Sequence, residues 1–159
     1  MKSTVSVIAT LLIFFLAKSL LVSCGMPPSQ SLNSSQSINY TVAKGYFVKN
    51  TYSTDSLQCL LITNPKQLDD LLGMAATMGA NGRPTDIDFS KQYAIACIYP
   101  ATDYGTSIQP SSLISSGDSL RLKLKINKGT LQSFTSVPLS LLIVEGSPPA
   151  NFGWEVSSN

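Results

Sequence analysis

The residues best suited to chemistry in this chain are its three cysteines, Cys24, Cys59 and Cys97. Their spacing matches no zinc-binding pattern, because no two of them lie close together in sequence. The chain also contains no histidine, the most common general base and metal ligand. We therefore expect no metal, no cofactor and no catalytic site of the Ser-His-acid or Cys-His type.

Two pairs of carboxylates are the remaining candidates for catalysis. Asp69 and Asp70 fall on the polar side of a predicted helix, where a solvated helix face explains them better than catalysis does. Asp86 and Asp88 precede an apolar run, where aspartate is typical of turns. No phosphate-binding loop, nucleophile elbow or dinucleotide fingerprint accompanies them. These observations predict that the protein is not an enzyme.

Cys24 directly follows a typical export signal. Residues 1–23 have a basic start, an apolar run and small residues before the cysteine, and Lys18 interrupts the run, which argues against a spanning helix. The segment Leu21-Val22-Ser23-Cys24 resembles the bacterial lipobox, which predicts cleavage before Cys24 and acylation of that residue. The alternative is an ordinary secretory signal with an incidental cysteine. The lipobox predicts a membrane-anchored protein of the bacterial cell envelope, facing either the periplasm or the surface.

Residues 24–37 are rich in serine and proline and carry no charge, so they predict a flexible tether. Cys59 and Cys97 then form an even pair in an exported chain. Their sequence context leaves two alternatives open, a disulfide or two buried free thiols, because both lie in apolar runs.

The net charge argues against a nucleic-acid partner. The chain has 11 basic and 9 acidic side chains, and two of the basic ones, Lys2 and Lys18, lie in the predicted signal. The processed chain is therefore formally neutral and offers no general attraction for phosphates.

The run Tyr93–Tyr99 has no charge and no alternation, which predicts a central strand covered on both faces. Before it, residues 40–49 predict a strand bent at Gly45, and residues 57–63 a buried strand. Asn64, Pro65 and Gln67 form a helix start of the capping-box type. Apolar residues at helical spacing extend that predicted helix to Ala75.

Three strands follow the central one in this interpretation. Residues 101–106 predict a loop, and residues 107–113 an edge strand because they contain Pro110. Residues 120–126 alternate between aliphatic and basic side chains, which predicts a half-buried strand with a cationic outer face. The basic row fits either a headgroup or partner patch or lysines that protect an exposed strand from aggregation.

Pro138–Val144 predicts the last buried strand, and Trp154 is expected to cover the core. The whole pattern predicts an α+β fold for residues 38–159. In that fold one helix packs on a mostly antiparallel sheet of about six strands, behind a cleaved lipoprotein signal and a flexible tether.

Four short segments within residues 57–145 resemble the PrcB-like (protease complex subunit) domain of bacterial lipoproteins. The clearest is Asp88-Phe89-Ser90-Lys91; the others begin at Thr63, Tyr104 and Ser136. The family is named for a lipoprotein that binds and stabilises a surface protease complex. The resemblance implies no catalytic residues, and it implies a partner-binding loop that contains Tyr104, Gly105 and Ile108.

Two functions are favoured by the sequence, and a hydrolase with an unfamiliar site is the remaining alternative. The first is a membrane-anchored lipoprotein whose domain binds another protein of the cell envelope, with a protease to stabilise or inhibit as the expected partner. The second is a carrier of a small lipid or glycan ligand, held in a pocket between the helix and the sheet and lined by Leu68 and Leu72.

Overall fold

A computed structural model describes residues 35–76, 78 and 82–157 of the chain. They form a mostly β structure, and the described part contains one helix, α1 (Pro65–Leu71). The strands are β1 (Gln36–Ser37), β2 (Tyr40–Val42), β3 (Tyr46–Val48), β4 (Gln58–Ile62), β5 (Leu72–Met74), β6 (Gln92–Ile98), β7 (Thr102–Ser116), β8 (Ser119–Ser136), β9 (Leu139–Glu145) and β10 (Asn151–Val156).

A four-stranded antiparallel sheet with the order β2-β9-β6-β4, here called the central sheet, forms the middle of the fold. Every residue of β6 from Tyr93 to Ile98 is buried. The prediction of a strand covered on both faces is therefore confirmed. An uninterrupted apolar run is stable there because neither side of the strand meets water.

One face of the central sheet packs on a second four-stranded sheet, here called the outer sheet, with the order β1-β7-β8-β10. Strand β10 runs parallel to β8, and the other pairs in both sheets are antiparallel. Aliphatic, aromatic and thiol side chains from both sheets fill the space between them. They are Cys59, Tyr93, Ile95, Cys97, Ile108, Leu113, Leu120, Leu122, Leu124, Leu142 and Val144.

The other face of the central sheet is covered by α1 and by the antiparallel pair β3–β5. Ala94 and Ala96 of β6 face this layer together with Ile98, and all three are fully buried. The fold therefore has three layers. The prediction of a single sheet of about six strands is wrong, because the strands divide between two sheets of four and one pair.

The start of α1 agrees with its sequence signal. The Asn64 side chain accepts a hydrogen bond from the Gln67 backbone N–H at 3.0 Å, and the Gln67 side chain accepts one from Thr63 N–H at 2.8 Å. The helix ends at Leu71, however, and not at Ala75. Leu72 leaves the helix because it belongs to β5, where it is buried and pairs with Val48.

The segment 40–49 forms two strands, not one bent strand. Gly45 has φ +78 and separates β2, which pairs with β9 in the central sheet, from β3, which pairs with β5. The predicted tether is also too long by two residues, because Gln36 and Ser37 already pair with β7. Trp154 packs against the core between the sheets, as predicted.

Strands β7 and β8 are far longer than the sequence indicates. The predicted loop 101–106 is wrong for all but its first residue, because β7 begins at Thr102. Strand β8 continues ten residues beyond Ile126, to Ser136. Pro110 fits within β7 because the ladder is irregular between Pro110 and Ser112, and because β1 reaches only Ile114 and Ser115 on the other side.

Candidate functional site

The two halves of the β7–β8 hairpin have different surroundings. Residues 108–116 and 119–126 cover the core, whereas residues 102–107 and 127–136 form a two-stranded ribbon, here called the ribbon. The ribbon follows directly from β6 and precedes β9, and the backbone N–H of Tyr99 bonds the Pro138 carbonyl at 2.9 Å next to it. The ribbon is therefore the part of β7 and β8 that connects the central sheet to the outer sheet, as bent strands do at the corners of packed sheets.

Bulges bend the ribbon. The register shifts twice between Thr102 and Thr106, so that Tyr104 is opposite Leu131 and Thr106 is opposite Lys128. At this bend the two backbones come close together. A Cβ atom at Gly129 would lie 2.7 Å from the carbonyl oxygen of Gly105, so position 129 requires glycine.

Three large apolar side chains are exposed on the ribbon. Leu131 is 68% exposed, Phe134 59% and Tyr104 39%. The Lys128 ammonium lies 3.8 Å from the centre of the Tyr104 ring, and the Thr135 hydroxyl bonds the Asp103 carboxylate. Tyr104 and Leu131 are opposite each other in the ladder, and exposed apolar side chains that lie together are a recurrent feature of interaction sites.

The ribbon also has two open edges. In the described part of the chain, β1 pairs only with the far end of β7, and β10 reaches along β8 only as far as Leu124. Both strands of the ribbon therefore present backbone N–H and C=O groups without a strand neighbour on the outside.

The residues that the sequence placed in a partner loop have different positions in the structure. Tyr104 is exposed and Gly105 is half-buried, but both belong to a strand. Ile108 is only 8% exposed and packs in the core between the sheets, so it cannot contact a partner. That part of the prediction is wrong because the segment is a strand, and Ile108 lies on the face of the strand that packs in the core.

Sequence reasoning missed Leu131 and Phe134. The stretch that follows β8's alternating region is mostly serine, threonine and glutamine, which resembles a polar connection. A usable signal was present, since a large aromatic residue such as Phe134 within a polar stretch is unusual for a loop.

Cys59 and Cys97 lie directly opposite each other on β4 and β6, and both are buried free thiols. Of the two alternatives left open by the sequence, a disulfide or two buried free thiols, the structure has the two buried free thiols. Hydrogen bonding to the Cys59 side chain and burial both raise the pKa of the Cys97 thiol above its ordinary value. A neutral, buried thiol is a poor nucleophile, so the pair contributes to packing.

We predict that the two thiols are present and protected in the native protein. A maleimide reagent is expected to label neither Cys59 nor Cys97 under native conditions and to label both after denaturation without reductant. Mass spectrometry of peptides counts the added groups at each position. A denatured chain that takes up no label at either position would contradict the free-thiol state.

Three of the four carboxylates in the two pairs have structural partners. Asp70 forms an ion pair with Lys66 at 2.7 Å, and Asp69 forms one with Lys49 at 3.4 Å. Hydrogen bonds from the Ser90 hydroxyl and backbone N–H lower the pKa of Asp88. These contacts are typical of helix surfaces and turns. Across residues 35–76, 78 and 82–157, no group of three potential ligands lies close enough together to hold a metal ion.

A second concave surface lies between α1 and the β3–β5 pair. It has a volume of about 430 Å³ and is lined mainly by apolar atoms of Tyr46, Leu68, Leu72 and Met74. Lys66 and Asp69 lie at its side. The sequence predicted a ligand pocket between the helix and the sheet, lined by Leu68 and Leu72. Both residues border this concave surface, but it lies beside the β3–β5 pair, and Leu72 belongs to β5.

Cys24, the predicted acylation site, and residues 1–23 lie outside the described residues. Within the described residues, no helix is long and apolar enough to cross a bilayer. Comparison with known proteins gives no match to a family model, to a curated protein or to a solved structure. The fold and its surfaces define a small, mostly β domain whose most distinctive exposed feature is the ribbon, with its three exposed apolar side chains.

Proposed function

We propose that this protein is an exported bacterial lipoprotein, acylated at Cys24, whose domain binds another protein of the cell envelope through the ribbon. The observation that carries the proposal is the combination of three exposed apolar side chains with open strand edges. A single exposed leucine is ordinary on a protein surface, but the cross-strand pair Tyr104 and Leu131, with Phe134 three residues further along the same ribbon, is not.

The ribbon offers two kinds of contact to a partner. Tyr104, Leu131 and Phe134 provide buried area on docking, and aromatic residues commonly dominate the binding energy of such interfaces. The open edges accept an extended partner segment by strand addition, in which main-chain hydrogen bonds give affinity and alternate side chains give specificity.

The nature of the partner follows from the resemblance to the PrcB-like domain and from the expected location. A domain anchored at Cys24 meets other envelope proteins at high effective concentration. We infer that the partner is a protease that this domain stabilises or inhibits. No catalytic role is assigned to the chain itself, because Asp69, Asp70 and Asp88 have structural partners and the thiols of Cys59 and Cys97 are buried.

The test is photo-crosslinking in cells. Phe134 is replaced by a benzoyl-phenylalanine residue, and illumination is expected to give one dominant protein adduct, identified by mass spectrometry. Alanine at both Tyr104 and Leu131 is expected to reduce that adduct about tenfold or more, since each truncation at an interface centre costs on the order of 1–2 kcal/mol. The purified partner's proteolytic activity and lifetime are then measured with and without this protein.

The matched control places the same cross-linker at Val42, which is also exposed but lies on β2 of the central sheet and not on the ribbon. Equal adducts from positions 42 and 134 would show random collision and would refute the ribbon as the binding surface. An adduct that the Tyr104 and Leu131 substitutions leave unchanged would do the same.

The lipid anchor is tested separately. The mass of the mature N-terminal peptide is expected to equal that of a chain beginning at Cys24 with added acyl groups. A mature chain without acyl groups at Cys24 would contradict the anchor, while the ribbon could still bind a partner.

The cavity of about 430 Å³ beside α1 supports a second candidate function, the carriage of a small lipid. Its apolar lining suits an acyl chain or a similar apolar ligand. Native mass spectrometry with a mixture of envelope lipids tests this function. Leu68→Trp, which fills the cavity, is expected to remove a retained ligand, whereas Val42→Trp is expected to leave it in place.

A further inference from the structure

The outward face of the outer sheet carries a concentrated row of positive charge. Arg121, Lys123 and Lys125 alternate along β8 with Leu120, Leu122 and Leu124, which point into the core. Successive cations are therefore about 7 Å apart along one line, since alternate residues of a strand share a face. We call this surface, with its neighbours on β1, β7 and β10, the basic face.

Little negative charge balances this row. Lys123 pairs with Glu155 of β10 at 2.9 Å. Within the described part of the chain, Arg121 and Lys125 have no carboxylate within 4.0 Å. The surrounding side chains are mostly hydroxyls, and Arg121 and Lys123 border a shallow depression of about 480 Å³ that also contains Ser112 and Ser119.

Protection of an exposed strand edge does not explain these cations. Lysine is common on edge strands because it prevents pairing with other chains. At Arg121 and Lys123, however, β8 is paired on both sides, with β7 and with β10. Two of the three cations are therefore placed where β8 is an interior strand and no free edge needs protection; only Lys125 lies beyond the reach of β10.

The basic face is also where the N-terminal segment joins the domain. Ser35 borders the depression, and Ser37 of β1 is opposite Ile114, the residue paired with Arg121. Eleven peptide bonds link Ser35 to Cys24. The composition of this segment predicts a flexible tether, for which the average span is about 18 Å, shorter than the diameter of about 35 Å expected for a domain of this size. We infer that an anchor at Cys24, with such a tether, keeps the side of the domain that contains Ser35 nearest the bilayer.

We propose that the basic face docks on the anionic headgroups of the membrane and fixes the orientation of the domain. The orientation rests on the proposed anchor at Cys24, whereas the attraction to headgroups depends only on the basic face. A lipid anchor combined with a basic patch is a recognised way to obtain stable attachment, because each cation near an anionic bilayer adds to the binding.

The experiment uses residues 24–159 with Cys24→Ser, so that neither acyl chains nor the apolar leader contribute. The described residues contain both core clusters and belong to one compact unit, so this chain retains its fold. Sedimentation with vesicles of phosphatidylcholine alone, or mixed with phosphatidylglycerol, measures binding. We expect binding only to the anionic vesicles, and its loss at about 1 M salt, where the Debye length is about 3 Å.

The triple variant Arg121→Gln, Lys123→Gln, Lys125→Gln is expected to weaken binding to anionic vesicles about 100-fold, at about fivefold for each cation. The matched control is Lys49→Gln, Lys66→Gln, Lys91→Gln, which removes the same charge from ion pairs elsewhere in the domain. It is expected to bind as the parent chain does. Protection of Cys59 and Cys97 from maleimide verifies that each variant is folded.

Three results would overturn the proposal. The first is equal loss in the control variant, which would make net charge and not the basic face responsible. The second is equal binding to neutral and anionic vesicles. The third is tighter binding to polyglutamate than to anionic vesicles, which would indicate that the basic face binds an acidic polypeptide and not a membrane. The chain used here has no lipid anchor. The vesicle-binding result can therefore be interpreted even if the mature N-terminal peptide has no acyl groups or if cross-linking from the ribbon gives no partner.

Discussion

Replacement of Leu124 by alanine is expected to lower the free energy of unfolding by about 3–4 kcal/mol, because buried leucines in well-packed cores lose both transfer energy and contacts when they are truncated. Leu124 is fully buried between the two sheets, near Trp154 and the other leucines of β8. For a domain of this size the loss corresponds to a decrease in Tm of roughly 10–20 °C. Thermal and urea unfolding followed by circular dichroism measure both quantities.

The adjacent residue provides the control for Leu124. Lys125 is exposed on the opposite face of β8, and Lys125→Ala is expected to change the free energy of unfolding by no more than about 0.5 kcal/mol. The contrast tests the period-two assignment directly. A similar change in the free energy of unfolding for both substitutions would mean that Leu124 does not face the core while Lys125 faces solvent.

Gly45→Ala is the second substitution with a large expected effect, about 2–4 kcal/mol of destabilisation. The backbone at Gly45 has φ +78, where a side chain costs about 1–2 kcal/mol. In addition, the new Cβ would lie 2.7 Å from the Pro84 Cα and 3.2 Å from the Ala75 carbonyl oxygen, so backbone atoms must move. Denaturant unfolding of the two chains gives the difference.

The result at Gly45 has structural meaning because this residue connects two layers. Its carbonyl accepts a hydrogen bond from Ala75 N–H at 2.8 Å, and the Lys44 carbonyl accepts one from Thr85 N–H at 3.0 Å. These bonds join the turn between β2 and β3 to the segments that follow β5 and precede β6. We therefore expect the layer formed by α1 and β3–β5 to loosen first, with increased hydrogen exchange in β3 and β5.

A substitution at Gly146 distinguishes the two causes of destabilisation at Gly45, which are the positive φ and the close contact of the new Cβ with backbone atoms. It also has a positive φ, +101, but a Cβ there would meet nothing within 4 Å. Gly146→Ala is therefore expected to cost only the conformational part, about 1–2 kcal/mol. If alanine were tolerated equally well at both positions, the close contact with Pro84 would be excluded as a source of destabilisation.

Several local features could be predicted because neighbouring residues determine them. The helix start at Asn64 is defined by side-chain hydrogen bonds over three residues. The alternation from Leu120 to Lys125 requires one face in water and one in the core, whatever the partner strand is. The uncharged run of β6 likewise requires burial on both faces, and the central sheet provides it.

The helix end and the ribbon could not be predicted in this way. Apolar spacing continues from Leu68 to Ala75, but pairing of Leu72 with Val48 takes that residue into β5. In the ribbon, residues of low strand propensity such as Gly105 and Gly129 adopt a strand conformation because β7 and β8 pair with each other at the bend. Such pairings join residues distant in sequence, and local patterns contain no information about them.

The sequence by itself determined which side chains are buried in β6 and β8, where the helix begins, and that the outer face of β8 is cationic. Hydrophobic period and capping chemistry depend on neighbours within a few residues. The tertiary structure alone decided that the strands form two sheets of four and one pair, that Ile108 faces the core, and that Tyr104, Leu131 and Phe134 lie exposed on one ribbon. Those outcomes depend on which strands pair and where their bulges lie, because a shift of one residue turns a side chain to the opposite face.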